Sequence, residues 1–68
     1  MMVVLNGEQR DLDDGATVRS AVTAVGAPRE GRGVAVALDG EVVPRRSWDE
    51  VPLREGARVE VVQAVQGG

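Results

Sequence analysis

The sequence ends in two adjacent glycines, Gly67 and Gly68, and this ending is its feature with the clearest chemical meaning. A terminal carboxylate is a poor electrophile until it is activated, for example as an acyl-adenylate. To reach ATP inside an enzyme, the chain end must thread a narrow channel, which residues without a Cβ fit best. We expect Gly68 to be activated by a partner, with Val65, Gln66 and Gly67 threading its active site. The alternative is a frayed terminus without a chemical role.

Most residues that enzymes use for catalysis are missing, because the sequence contains no Cys, His, Lys or Tyr. A thiol nucleophile, a histidine base and a lysine Schiff base are therefore excluded. A serine nucleophile would have neither a His nor a Lys base. Paired carboxylates can cleave sugars, but so small a domain rarely holds the cleft they need. We expect a chain that is not an enzyme and binds no cofactor stably.

The size and charge of the chain limit its partners. Its 68 residues suffice for one small domain, the net charge is -3, and all eight basic residues are arginines. Nucleic-acid binding favours a basic patch with several aromatics, whereas Trp48 is the only aromatic here. No apolar run reaches membrane-spanning length, and no signal peptide opens the sequence. We expect a cytoplasmic protein that binds neither nucleic acid nor membrane.

The first half of the sequence predicts a hairpin followed by a helix. Strands are expected over residues 2–5 and 8–12, because Asn6-Gly7 between them is a strong hairpin signal. Thr17 is the expected helix cap, and Gly26 is the expected terminator. Apolar residues spaced three and four apart form one helix face: Val18, Ala21, Val22 and Val25.

The second half predicts three more strands and a helical turn. Residues 31–33 are expected to form a flexible loop, and Val34, Val36 and Leu38 then alternate with smaller residues in a strand. A short strand over 41–43 follows the Asp39-Gly40 turn. Ser47 to Glu50 fits a capping box that opens a short helical turn. The last strand is expected over 59–64, after a turn at Glu55-Gly56.

This order of elements favours one α+β domain. A hairpin, a helix and further strands are typical of the β-grasp, or ubiquitin-like, architecture, in which a mixed sheet of four to five strands packs on one helix. With the last strand beside the first, Val3, Leu5, Val59 and Val61 would be buried under the helix. We expect the domain to span residues 1–64 and residues 65–68 to form a flexible tail.

Alternation along two predicted strands places small apolar residues on the outward face of the sheet. We interpret these as a candidate partner-docking patch, although scattered surface apolar residues are an equally good explanation. The patch consists of Ala35, Ala37, Val62 and Ala64.

Three other groups are better explained by structure than by function. Arg45-Arg46 could contact an acidic partner or a phosphate, but a solvated turn pair is favoured. Trp48 could anchor an interface, but we expect it to pack over the edge of the core with its N–H near water. A cation site at Asp11, Asp13 and Asp14 would need more ligands at fixed spacing, so a solvated turn is favoured.

Several segments together resemble the sulfur carrier family of thiamine biosynthesis (ThiS). The resemblance spans nearly the whole chain and is weakest through the helix and the loop at Gly31. Asp39 stands where the family usually has Asn, and Ala57 where it usually has Asp, both expected at turns. The matching segments are Val4 to Gly7, Gly33 to Arg45, Ser47-Trp48, Leu53, Gly56, Val59 to Val62 and Ala64 to Gly68.

The resemblance implies a specific chemistry for the chain end. Gly68 is adenylated by an E1-like adenylyltransferase that uses ATP, and sulfur derived from cysteine, supplied by a cysteine desulfurase system, converts it to a thiocarboxylate. Thiazole synthase then takes this sulfur to build the thiazole ring. Two alternatives stay open: a sulfur carrier for molybdopterin or cysteine synthesis, and a ubiquitin-like protein modifier.

Overall fold

The computed structural model describes residues 1–64. The expected tail, Val65 to Gly68, lies outside the described residues, so its predicted flexibility and the domain boundary at residue 64 stay predictions. The elements, in chain order, are β1 (Met2–Leu5), β2 (Glu8–Asp11), α1 (Val18–Ala24), β3 (Val34–Leu38), β4 (Glu41–Val42), a 3-10 turn (Arg45–Ser47) and β5 (Arg58–Gln63).

The five strands form one mixed sheet in the order β2-β1-β5-β3-β4. β5 lies in the centre, parallel to β1 with Leu5 opposite Val59, and antiparallel to β3 with Val36 opposite Val61. The two hairpins, β1-β2 and β3-β4, flank it. The predicted β-grasp architecture, with the last strand beside the first, is confirmed.

The core lies between the sheet and α1, where burial of each valine or leucine side chain stabilises the fold by about 1.5–3 kcal/mol. Thr17 precedes the helix as predicted, and its backbone N–H donates to Ser20 Oγ at 3.0 Å. Gly26, with φ +79°, follows its end. The helix face packs on the inward residues of three strands; the buried set includes Val18, Ala21, Val22, Val3, Leu5, Val36, Val59 and Val61.

Three strand limits differ from the prediction. β2 ends at Asp11, β4 ends at Val42, and β5 runs one residue earlier than expected, over Arg58–Gln63. Ala57, expected at a turn, is 4% exposed and belongs to the core. Its methyl group packs where a carboxylate would be desolvated, which is consistent with Ala at this position.

The predicted capping box at Ser47 to Glu50 is wrong. The 3-10 turn begins earlier, after Pro44, and Ser47 is its last residue. Ser47 N–H donates to Pro44 O at 2.8 Å, and Trp48 N–H donates to Arg45 O at 3.1 Å. Pro44 holds φ at -60°, and the turn directs the next side chain, that of Trp48, into the core.

Trp48 and Gly31 also differ from the prediction, and for one reason. Trp48 is 1% exposed, and its Nε1 donates to Val43 O at 2.9 Å, so its N–H does not face water. Gly31 is buried against the indole with φ +77°. A Cβ at Gly31 would lie 2.7 Å from Trp48 Cη2, so this position is a close-packed support rather than a flexible loop.

Candidate functional site

The base of the glycine ending is set by the central strand. β5 is bonded on both sides, by β1 and β3, and Gln63 lies opposite Val34. Ala64 N–H donates to Gly33 O at 2.7 Å, which extends this pairing to the last described residue. The sequence-predicted site residues Val65, Gln66, Gly67 and Gly68 lie outside the described residues. The glycine ending therefore starts at the end of β5, the central strand of the sheet.

The four residues of the candidate docking patch lie on the sheet face opposite α1, as alternation predicts. Ala35 lies directly opposite Val62 across β3 and β5, and both are exposed. Ala37 is half-buried, and Ala64 is exposed. The predicted orientation of the four residues is confirmed, while their role in docking stays a prediction.

The sequence analysis missed one member of this surface. Val42 lies opposite Ala37 across β3 and β4, so it belongs to the same face, and it is 77% exposed. The signal was available, because the short Asp39-Gly40 turn fixes the register of this hairpin and hence the face of Val42. We use the name outer patch for Ala35, Ala37, Val42, Val62 and Ala64. Glu60, opposite Ala37, borders the outer patch with a charge.

The other candidates separate clearly. Trp48 is too buried to anchor an interface, whereas Arg45 and Arg46 are exposed. Arg19 N–H groups donate to both Asp49 oxygens, at 2.9 and 3.3 Å, and this hydrogen bonding lowers the pKa of Asp49. The pair fixes the helix to the segment after the 3-10 turn.

Two acidic residues, one at the end of β2 and one after it, face the amino group of Met1. The Met1 nitrogen lies 2.9 Å from Asp11 Oδ1 and 3.7 Å from Asp14 Oδ1, and the hydrogen bond to Asp11 raises the pKa of the Met1 ammonium. Within residues 1–64, His, Cys, Asp and Glu side chains form no group of three able to hold a metal ion. No helix in this range has the length and apolar character needed to cross a bilayer.

Comparison with known proteins places these features in a family. The family model described as "ThiS family" matches residues 3–68. The chain is 43% identical over 67 residues to "Sulfur carrier protein ThiS" of Thermus thermophilus, covering 98% of this chain and 100% of that protein. It is 34% identical over 68 residues to "Thiazole synthase" of Paramagnetospirillum magneticum, of which it spans only 20%.

Solved structures agree with the sequence relatives. The crystal structure of a thiamine biosynthesis protein (ThiS) from Geobacter metallireducens superposes with a TM-score of 0.78 at 27% identity, over 100% of both chains. The solution structure of a thiamine biosynthesis protein from the same organism superposes with a TM-score of 0.79, and the superposition covers 100% of this chain and 88% of that chain. The likeness extends over the whole fold, including the central strand that leads into the glycine ending.

Proposed function

Because the chain belongs to the ThiS family, the sulfur carriers of thiamine biosynthesis, we propose that it carries sulfur on the carboxyl group of Gly68 for thiazole formation. The family model extends to residue 68, so the match includes Gly67-Gly68. The observation that carries the proposal is that this glycine pair follows the central strand β5 after three intervening residues, Ala64 being held by Gly33 O. A rigid domain thereby presents a short segment, whose last two residues have no side chain, to a partner.

The proposed chemistry has two steps. First, a Gly68 carboxylate oxygen attacks the α-phosphorus of ATP in an E1-like adenylyltransferase, and pyrophosphate leaves. The product is an acyl-adenylate, a far better electrophile than the carboxylate. Second, a sulfur nucleophile at the oxidation level of sulfide attacks the carbonyl carbon, and AMP leaves. The carboxylate thereby exchanges one oxygen for sulfur. The sulfur derives from cysteine through a desulfurase system, which carries it as a persulfide, and a thiol supplies the two electrons that release it at the sulfide level and is itself oxidised to a disulfide.

The chain acts in this scheme as a substrate and not as a catalyst. ATP belongs to the partner enzyme, and the chain itself needs no bound cofactor. We propose the cytoplasm, where ATP is available, as its compartment. The lack of Cys, His and Lys supports this role, because the reactive terminus has no competing nucleophile of these types on the same chain.

Thiazole synthase is the proposed acceptor of the sulfur. The similarity to one-fifth of a protein named "Thiazole synthase" supports this link, since a carrier segment within the same polypeptide would deliver sulfur at a high effective concentration. The outer patch is the proposed docking surface for the adenylyltransferase. Its small side chains leave a flat apolar face beside the start of the glycine ending.

Reconstitution tests the proposal. The chain is incubated with the adenylyltransferase from the same genome, ATP and a sulfide source, and its intact mass is measured. The expected product is heavier by the difference between sulfur and oxygen, and it transfers that sulfur when thiazole synthase and its substrates are added. A chain that is adenylated and then joined to lysines of other proteins would contradict the proposal and indicate a protein modifier instead.

A further inference from the structure

Half of the eight arginines lie in two segments that pack against each other. The segments 28–33 and 44–48 together contain four arginines and a single carboxylate, Glu30, although the whole chain has a net charge of -3. All four arginines are exposed. We name them the basic collar: Arg29, Arg32, Arg45 and Arg46.

The two segments that carry the collar are packed against each other. Gly31 lies against Trp48, and a Cβ on it would lie 2.9 Å from Arg45 Cδ. The aliphatic part of Arg45 therefore covers the backbone of the other segment while its guanidinium extends toward solvent. Trp48 beneath them is fixed by its hydrogen bond to Val43 O.

Arg19 of α1 contacts both segments that carry the collar. Its guanidinium lies 5.2 Å from the centroid of the Trp48 ring and forms an ion pair with Asp49. It also donates to the backbone oxygen of Arg29. Because Arg19 joins both segments to the helix, the collar arginines project from a rigid support, and binding loses little backbone entropy there.

The collar guanidiniums form no ion pair within the described part of the chain. In residues 1–64 the ion pairs involve only Met1, Arg19, Asp11, Asp14 and Asp49, and no collar guanidinium donates a hydrogen bond. Asp49, whose charge is also attracted to that of Arg29, is paired with Arg19. A set of like charges held together in this way stores repulsion that an acidic partner would relieve.

The collar also lies where the glycine ending starts. Arg32 directly precedes Gly33, whose carbonyl accepts the Ala64 N–H at 2.7 Å. A Cβ on Gly33 would lie 3.8 Å from the Ala64 Cβ, so this backbone passes close to the base of the ending. Any protein that takes up residues 65–68 must therefore approach at least the Arg32 side of the collar.

We propose that the basic collar docks on an acidic surface beside the channel of the adenylyltransferase that takes up the glycine ending. The inference rests on the proposed function and adds the chemistry of the partner surface to it. Charge complementarity of this kind accelerates encounter and sets orientation. A nucleic acid is a poorer occupant, because Trp48, the only aromatic, is buried and offers no stacking surface.

Charge reversal at two collar residues tests the proposal. The variant is Arg32→Glu with Arg46→Glu, which leaves the Arg45 stem on Gly31 in place. The matched control is Arg54→Glu with Arg58→Glu, which makes the same charge change on two exposed arginines. Residues 54–58 lie at the opposite end of the sheet, where Gly56 N–H donates to Met2 O. Affinity for the purified adenylyltransferase is measured by titration calorimetry at low and high ionic strength.

The collar variant is expected to bind at least about tenfold more weakly than the wild type at low ionic strength, with the difference shrinking as salt screens the charges. The control is expected to bind within about twofold of the wild type. Equal losses in both variants would show a general charge effect and overturn the proposal, as would unchanged affinity of the collar variant. Arg32→Gln with Arg46→Gln repeats the test without new charges should the reversed variant fail to fold.

A second readout separates this proposal from the proposed function. Pyrophosphate release is followed with ATP and increasing amounts of carrier. The collar variant should raise KM and leave kcat near that of the wild type, because the collar acts in docking and not at Gly68. A wild-type chain that is never adenylated contradicts the proposed function, whereas normal adenylation with an unchanged KM in the variant contradicts the collar alone.

Discussion

Asn6 and Val61 are joined by two hydrogen bonds across β1 and β5. Val61 N–H donates to Asn6 Oδ1 at 2.8 Å, and Asn6 Nδ2 donates to Val61 O at 3.3 Å. The backbone of β1 has already turned away at this point, with φ +51° at Asn6. The amide side chain thus continues the ladder on β5 by one more step, beyond the Asn6 N–H bond to Val59 O.

The first prediction concerns this side chain. Asn6→Gly keeps the positive φ accessible but removes both bonds, so the free energy of unfolding should fall by about 1–2 kcal/mol. Asn6→Asp keeps the acceptor for Val61 N–H and loses the donor, so its free energy of unfolding should lie between those of the wild type and Asn6→Gly. Urea denaturation at neutral pH measures both. Wild-type stability of Asn6→Gly would mean that the two bonds contribute nothing.

The second prediction concerns the support of the collar. Gly31→Ala places a Cβ 2.7 Å from Trp48 Cη2 at a φ of +77° and should cost about 3 kcal/mol or more, from overpacking and backbone strain together. Gly26→Ala is the matched control, because φ is +79° and no atom lies within 4 Å of the new Cβ. It should cost only about 1–2 kcal/mol, the backbone strain alone. Equal losses in denaturation experiments would contradict the packing of Gly31 against Trp48.

The third prediction concerns the outer patch. Val62→Arg or Ala37→Arg should weaken binding to the adenylyltransferase and leave the fold intact, because an unpaired charge at an apolar interface is costly to desolvate. Gln63→Arg adds the same charge to the neighbouring, exposed residue of β5, whose side chain points to the other face, and should bind nearly as the wild type does. If both patch variants bind as tightly as Gln63→Arg, the outer patch does not contact this partner.

The fourth prediction concerns pH. Arg19 lowers the pKa of Asp49 below its ordinary value of 3.8, so the ionised form is favoured in the folded state. The resulting stabilisation is present above pH 3.8 and is lost as pH falls through the lowered pKa. Asp49→Asn should therefore be less stable than the wild type at neutral pH, and the two proteins should converge in acid. A difference that does not change between neutral and acidic melts would contradict this ion pair.

Local signals in the sequence predicted most of the fold. Asn6-Gly7 specified the hairpin, the spacing from Val18 to Val25 specified the helix, and strict alternation from Val34 to Leu38 assigned both faces of β3. These features depend on residues close together in sequence, so they can be predicted from one sequence alone. The outward orientation of Ala35, Ala37, Val62 and Ala64 followed for the same reason.

The misjudged features depend on contacts between residues distant in sequence. The burial of Trp48 requires Gly31, 17 positions away, to lack a side chain. The hydrogen bonds of the Asn6 side chain require the backbone of Val61 to lie opposite it. Ser47 matched a capping motif, but Pro44 and the burial of Trp48 decided where the turn lies. The sequence alone offered Arg45-Arg46 as a contact for an acidic partner but favoured a solvated pair, because only tertiary packing brings the segment with Arg29 and Arg32 against it.

Deletion of Gly68 tests the central claim most directly. The truncated chain, the wild type and a chain with one residue added after Gly68 are each incubated with the adenylyltransferase, ATP and sulfide. Thiocarboxylate formation is followed by intact mass, beside a thermal melt of each protein. The core lies within residues 1–64, so all three should melt at nearly the same temperature. Only the wild type should gain sulfur, because the other two place their terminal carboxylate one residue short of, or beyond, the site of activation. Sulfur loading of the truncated chain at the wild-type rate would contradict the assignment of Gly68 as the sulfur-carrying residue.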